Sequence, residues 1–292
     1  MKERIGFAGL GTMGAPMATR LQNAGYPLCV FNRTKEKSEA LVSKGAHAAE
    51  SPSTMAAQVD VALTMVSTPE VLEHLSLGKE GILSGLAKDC IHIDCSTVSP
   101  ALTKQLAHEY GKKGCRFLHS PVLGSVSQVM DGALLLFVGG EKSSFERVEP
   151  ILKCLGSKIW YFERVEQAST TKLLCNSFIS GMAVVLSQAL LLAEKSEINP
   201  QILLEIISHS QLNAPMYQAK GKSMIERNFA PRFFVEHLLK DINLVLDAAV
   251  SAQLSMPAAE TAQRLYKQAV ESGLAKEDYS AIIQVIENLP RL

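Results

Sequence analysis

The segment Ile5-Gly6-Phe7-Ala8-Gly9-Leu10-Gly11-Thr12-Met13-Gly14 decides how the rest of the chain is read. A short apolar run leads directly into the spacing Gly-x-Gly-x-x-Gly, and residues 13–23 then show helical periodicity. In a strand–turn–helix unit the first glycine permits a tight turn. The second lets the backbone approach a pyrophosphate, and the third lets helix and strand pack closely. The helix that opens there turns free N–H groups and the positive end of its dipole toward the phosphates. Gly9, Leu10, Gly11, Thr12, Met13 and Gly14 are therefore the candidate dinucleotide-binding turn. The other reading is a glycine-rich turn without a ligand.

The next apolar run, 28–31, ends in Asn32-Arg33-Thr34. A site for NAD places an acidic residue here, against the ribose 2′-hydroxyl. This chain has none, and Arg33 offers instead a planar, permanently charged fork for a 2′-phosphate. Asn32 and Thr34 add neutral donors. The expected cofactor is NADP(H), in preference to NAD(H). The alternative is that Arg33 is a solvated loop charge.

Outward from these two strands the first half alternates. Strand-like runs fall at 5–8, 28–31, 61–66, 90–94, 116–118 and 134–138, with helical stretches at 13–23, 35–43, 70–77 and 99–112. Such alternation builds βαβ units with right-handed crossovers, and hence a doubly wound, mostly parallel sheet with helices on both faces. After about residue 160 the strand signals stop. Residues 169–196, 200–208, 216–227, 235–252, 257–272 and 279–289 read as helices. The expectation is an α/β domain over 1–165, then an all-α domain over 166–292.

Residues 173–193 carry no charge, and the stretch is long enough to span a bilayer. It also holds Asn176, Ser177, Ser180, Ser187 and Gln188. It reads as a helix buried inside protein. A helix apolar nearly all round needs cover on every side. Self-association through the C-terminal domain, as a dimer or tetramer, would supply it.

Composition narrows the class. The 292 residues are 47% apolar and 20% charged, so the chain can bury a full core. Lys plus Arg equals Asp plus Glu at 29 each. Zero net charge argues against binding nucleic acid through bulk charge and against a basic membrane-surface protein. A small-molecule substrate is expected, with no nucleic acid and no membrane. Six cysteines form no CxxC pair, which reads as a reduced, cytoplasmic protein with no metal site. The charged start and short glycine-rich apolar run do not read as a signal peptide.

Two further patterns carry chemistry. Asp94-Cys95-Ser96-Thr97-Val98-Ser99-Pro100 follows a strand, which puts hydroxyls at the carboxyl edge of the sheet, where doubly wound folds bind ligands. Ser99 before Pro100 also reads as a helix cap. Lys172 and Asn176 lie four apart, on one face of the long helix. Desolvation disfavours a lysine's charged form, so a buried lysine can serve as acid or base. From spacing alone a lysine snorkelling at a helix end fits equally well.

The ordered set resembles the β-hydroxyacid dehydrogenase family over nearly the whole chain. It comprises the glycine turn with Met17, the run from Asp94 to Pro100, Pro121-Val122 with Gly124, Lys172 with Asn176, and Lys240-Asp241. The tail adds Pro257, Tyr266, Gly273, Asp278, Ser280, Ala281 and Glu287. The resemblance implies a Rossmann domain followed by a helical domain entered through a long interdomain helix, with the active site in the cleft between them. It implies Lys172 as the general acid that protonates a carbonyl oxygen, and Asn176 as the group that positions substrate. Thr97 and Lys240 would line the nicotinamide side, and Met65, Val66 and Ser67 would wrap the ribose. Ser96, Leu123, Gly124, Phe233 and Asp241 would border the substrate.

Phe233 to Asp241, and Gly124 with Ser125, are most similar to the glyoxylate/succinic semialdehyde reductase branch. The expected activity is therefore NADP(H)-dependent interconversion of a small β-hydroxyacid and its aldehyde or keto form. The sequence also departs from the family. Leu123 stands where a serine usually holds the substrate carboxylate. Ala168, Glu166 and Glu163 replace glycines before the lysine. An imine-type reductase and a non-catalytic dinucleotide-binding module are the rival readings, and Lys172 argues against both.

Overall fold

The computed structural model describes residues 2–290. The chain divides into two compact units after Lys172. In the first, strands and helices alternate: β1 (Ile5–Ala8), α1 (Gly14–Asn23), β2 (Leu28–Phe31), α2 (Glu39–Val42), β3 (His47–Ala48), α3 (Pro52–Ala56), β4 (Val61–Thr64), α4 (Pro69–Leu77), α5 (Ile82–Gly85), β5 (Ile91–Asp94), α6 (Pro100–Lys112) and β6 (Arg116–His119). Then come β7 (Val122–Leu123), α7 (Val126–Asp131), β8 (Leu134–Gly139), α8 (Lys142–Leu155) and β9 (Gly156–Phe162). The second unit holds most of α9 (Val165–Lys195), with α10 (Pro200–Ser208), α11 (Pro215–Ile225), α12 (Val235–Ser251), α13 (Pro257–Glu271) and α14 (Ile282–Glu287).

The sheet runs β3-β2-β1-β4-β5-β6-β8-β7, with β9 on the other side of β8. The ladder is parallel from β3 to β6, while β8 is antiparallel to β6 and β7. β1, β4 and β5 are buried at every residue, as expected of strands covered on both faces. One face packs Met17, Leu21, Val148 and Leu152, and the other Met55, Leu72, Leu106 and Tyr110. Helix starts are fixed by capping hydroxyls ahead of proline. Thr68 accepts the Val71 N–H before Pro69, and Ser99 accepts the Leu102 N–H before Pro100. In the helical unit a separate core gathers Leu190, Met224, Leu238, Ile242, Tyr266 and Ile282.

Doubly wound parallel architecture followed by helices is the expected fold. The structure departs from the sequence reading at particular elements. Strand β9 continues the sheet through Phe162, and the sheet also recruits the two-residue strands β3 and β7. Helices α3, α5, α7 and α8 also form in the first unit. Residues 35–43 form a 3₁₀ turn and the short α2 rather than one helix, and Tyr279–Ala281 is likewise 3₁₀ ahead of α14.

The compact units part after Lys172, inside α9, because that helix begins at Val165 and its first turns pack on the sheet unit. Val165 joins a sheet-unit core, and the Ser169 hydroxyl donates to the Val98 carbonyl at 2.5 Å. α9 is not covered on all sides either. Leu174, Phe178, Val185 and Leu192 are exposed.

Candidate active site

The glycine turn sits where the strand order reverses between β1 and β4, at the carboxyl ends of the strands. Gly9 holds φ +99°, and a Cβ there would stand 2.3 Å from the Met65 carbonyl oxygen. At Gly14 a Cβ would come within 1.9 Å of the Gly9 carbonyl oxygen. Neither position admits a side chain. Gly11 has no heavy atom within 4 Å of where a Cβ would stand. The backbone is thus open to close approach at the one glycine where a pyrophosphate needs it. The residues present fit a dinucleotide.

At the end of β2 the three polar residues divide their tasks. Asn32 Oδ1 accepts the Leu10 N–H at 2.8 Å, and its Nδ2 donates to the Thr34 carbonyl at 2.8 Å. The amide ties the glycine turn to β2 and keeps one Nδ2 proton uncommitted. Arg33 and Thr34 are exposed. Among the described residues the Arg33 guanidinium has no hydrogen-bond or ion-pair partner, which leaves it available to an anion.

Past β4, β5 and β6 the loops carry the other expected residues of this unit. Met65, Val66 and Thr97 are half-buried and Ser67 is exposed. Ser96 is fully buried, and its hydroxyl is committed at both ends. It accepts the Val66 N–H at 2.9 Å and donates to Asp94 Oδ1 at 2.7 Å. Ser96 therefore braces two loops, and its side chain does not border a substrate. Leu123 is half-buried in β7, and Gly124 takes φ +145°. Ser125 and Gln128 cap α7 directly after that turn.

Sequence reasoning missed His92 and His119, which are fully buried beside Asp94. Each is a lone histidine with no local pattern. Only the strand register brings them together.

Lys172 is buried, and Asn176 lies one turn further along α9. In the helical unit Asn176 Nδ2 donates to Asp241 Oδ2 at 2.6 Å, and the Lys240 ammonium lies 2.8 Å from Asp241 Oδ1. Asp241 is itself buried, and its carboxylate serves Asn176 and Lys240. With its nitrogen engaged, Asn176 presents Oδ1, a buried acceptor with no protein partner among the described residues.

Phe233 is half-buried ahead of α12, and its N–H is accepted by Asp278 Oδ2 at 3.3 Å. Asp278 also accepts from Arg232 N, Ser280 and Lys220, the last at 2.7 Å. Burial pushes the Asp278 carboxyl up, but Lys220 and Ser280 outweigh it and hold it below the ordinary range. The Lys220 ammonium stacks 4.5 Å from the Tyr279 ring centre. Lys220 and Asp278 anchor the Phe233 loop, and the sequence reading assigned neither of them a role.

The profile for the NAD-binding domain of 6-phosphogluconate dehydrogenase matches residues 4–163, and that for NADP-dependent 3-hydroxyisobutyrate dehydrogenase matches residues 167–286. The chain belongs to the β-hydroxyacid dehydrogenase family. Its relatives in that family include the chloroplastic glyoxylate/succinic semialdehyde reductase 2 of Arabidopsis thaliana, 36% identical over 97% of this chain and 79% of the relative. The Bacillus subtilis oxidoreductase YfjR is 35% identical over 97% of this chain and all of its own length. Among solved structures, the Mycobacterium tuberculosis 3-hydroxyisobutyrate dehydrogenase with L-serine superposes with a TM-score of 0.89. It is 26% identical over 98% of this chain and 99% of its own. As a β-hydroxyacid dehydrogenase the chain is an oxidoreductase acting on CH–OH groups with a nicotinamide dinucleotide.

Proposed function

We propose that this dehydrogenase works as a reductase of small aldehyde or keto acids of the semialdehyde or glyoxylate type, with NADPH preferred over NADH and Lys172 as proton donor. The buried Lys172, one helical turn from Asn176, carries this reading. A bound nicotinamide supplies hydride to the carbonyl carbon. Negative charge then gathers on the carbonyl oxygen, and Lys172 gives it a proton. A positioned acid contributes about 10²–10⁴-fold to such a step. Asn176, oriented by Asp241, accepts a hydrogen bond from the hydroxyl that results. The glycine turn would hold the pyrophosphate, and Arg33 would pair with the 2′-phosphate by charge-assisted hydrogen bonding. The 36% identical reductase named for glyoxylate and succinic semialdehyde supports the substrate class.

The active protein is a homo-oligomer joined through its helical unit. Leu174, Phe178, Gly181, Val185, Gln188 and Leu192 follow the alternating four-and-three spacing of a helix–helix seam. The four large apolar residues among them are 49–70% exposed. Six cysteines without a disulfide are in keeping with a reducing, cytoplasmic setting.

The test is a screen of aldehyde and keto acids with NADPH, following loss of its absorbance, on the wild-type chain and on Lys172→Ala. The expected result is turnover of short semialdehyde or glyoxylate-type acids, lost in the variant while NADPH binding persists. Turnover within a few-fold of wild type in Lys172→Ala removes the lysine from the mechanism.

A further inference from the structure

Thr64, Asp94 and His119 end three neighbouring strands in register, β4, β5 and β6, and all three side chains are fully buried. With His92 and Tyr110 they form one polar chain beneath the carboxyl-edge loops. Thr64 Oγ1 donates to Asp94 Oδ1 at 2.7 Å, so its oxygen must accept from His92 Nε2, 2.9 Å away. His92 Nδ1 is then bare and accepts from the Tyr110 hydroxyl at 2.7 Å. Ser96 donates to the same Asp94 oxygen and takes the Val66 N–H on its other side. Every proton in the chain therefore points toward Asp94 Oδ1, an arrangement that suits a carboxylate there.

A buried carboxylate needs a counter-charge. Among the described residues the basic group against it is His119, whose Nδ1 lies 3.2 Å from Asp94 Oδ2. Burial pushes Asp94 up, but His119, Ser96 and Thr64 outweigh it and hold the carboxyl below its ordinary range. The other titratable groups acting around the pair stay neutral near pH 7. Burial pushes His92 down to about 4 and raises Tyr110 and Cys95.

We propose that the Asp94–His119 pair is the positioning element of the dinucleotide edge. With His119 against its Oδ2, Asp94 aims the Thr64 and Ser96 hydroxyls through Oδ1, and Ser96 in turn holds the loop after β4 against the loop after β5. The inference rests on the dinucleotide reading of these loops and is independent of the carbonyl substrate.

The test is NADPH affinity, by nicotinamide fluorescence, at about pH 6 and pH 8 for wild type, His119→Gln and the double variant Asp94→Asn/His119→Gln. Without His119, burial raises the Asp94 pKa. The site is then tolerable when Asp94 is protonated and unbalanced when it is charged. His119→Gln should weaken binding relative to wild type by about tenfold or more at pH 8, and by about threefold or less at pH 6. The double variant, neutral on both sides, should return to within about threefold of wild type at both pH values. If His119→Gln fails to fold, recovery of fold and affinity in the double variant carries the same result. Equal affinity of His119→Gln and wild type, or no recovery in the double variant, overturns the proposal. Failure of the wild-type chain to bind NADPH would overturn the dinucleotide reading, and this proposal with it.

Discussion

Asn176 donates its amide N–H to Asp241 at 2.6 Å, and both side chains are shut away from solvent. The carboxylate decides which end of the amide faces outward. With one Nδ2 proton engaged, the unpartnered Oδ1 is the atom that Asn176 can offer to a donor such as a hydroxyl.

Replacing Asp241 tests that arrangement. Asp241→Ala strips the Asn176 donor of its acceptor and removes the ion pair to Lys240. The expected loss is about 2–5 kcal/mol of stability. Asp241→Asn keeps an acceptor for Asn176 and should cost clearly less. Chemical unfolding of the two variants gives the order, and a more damaging Asn would contradict it.

In the proposed preference for NADPH the deciding residue is Arg33, exposed at the end of β2. Arg33→Ala should weaken NADPH binding by about 1.5–3 kcal/mol, the worth of hydrogen bonds to a charged group, and leave NADH nearly unchanged. Titration of both nucleotides against both proteins measures this. Equal affinities in the wild-type chain would sink the assignment.

Phe178, 70% exposed at the middle of the α9 stripe, should be a centre of the subunit contact. Phe178→Glu places a charge in an apolar seam. It should shift the protein toward monomer in light scattering at micromolar concentration. A wild-type monomer under the same conditions would leave the stripe without its partner.

His92 gives stability a defined pH dependence. Burial lowers its pKa from 6.5 to about 4. Between those values the unfolded chain binds the proton and the folded chain does not. The contribution is therefore whole above about pH 6.5 and is lost progressively as the pH falls to about 4, below which the loss is constant. At 1.36 kcal/mol per pKa unit the full loss is about 3 kcal/mol. His92→Gln lacks the titration, so its stability should fall less than wild type between pH 7 and pH 4.5. Parallel curves for the two proteins would argue that His92 is charged in the fold.

Much of this was legible in the sequence, for reasons that can be traced to residues. The turn from Ile5 to Gly14 was readable because its glycine spacing follows from backbone geometry alone. Pro and Ser or Thr at helix starts marked α4 and α6 to within a residue. Strands β3 and β7 were not readable, because two residues cannot show a period. The exposed stripe of α9 was hidden by uniform hydropathy, which carries no direction until the helix is packed. Asn32 reads from sequence as a ligand donor, and only the fold shows its amide also bracing Leu10 and Thr34. The meeting of Asp94 with His119 comes from strand register across separate segments, and no local window contains it.

Because α9 gives its opening turns to the sheet unit and its remainder to the helical one, the two units cannot be exchanged at the point where strands give way to helices. A chimera joined at residue 164 would remove Val165 from a sheet-unit core and Ser169 from its bond to Val98. A recombination point that respects both cores lies inside the helix, after Lys172. Grafting a foreign helical unit there would keep the lysine with its original sheet and bring in a new residue at position 176. Shuffled libraries built on this fold can in that way vary the proposed substrate-positioning residue while the proposed proton donor stays constant.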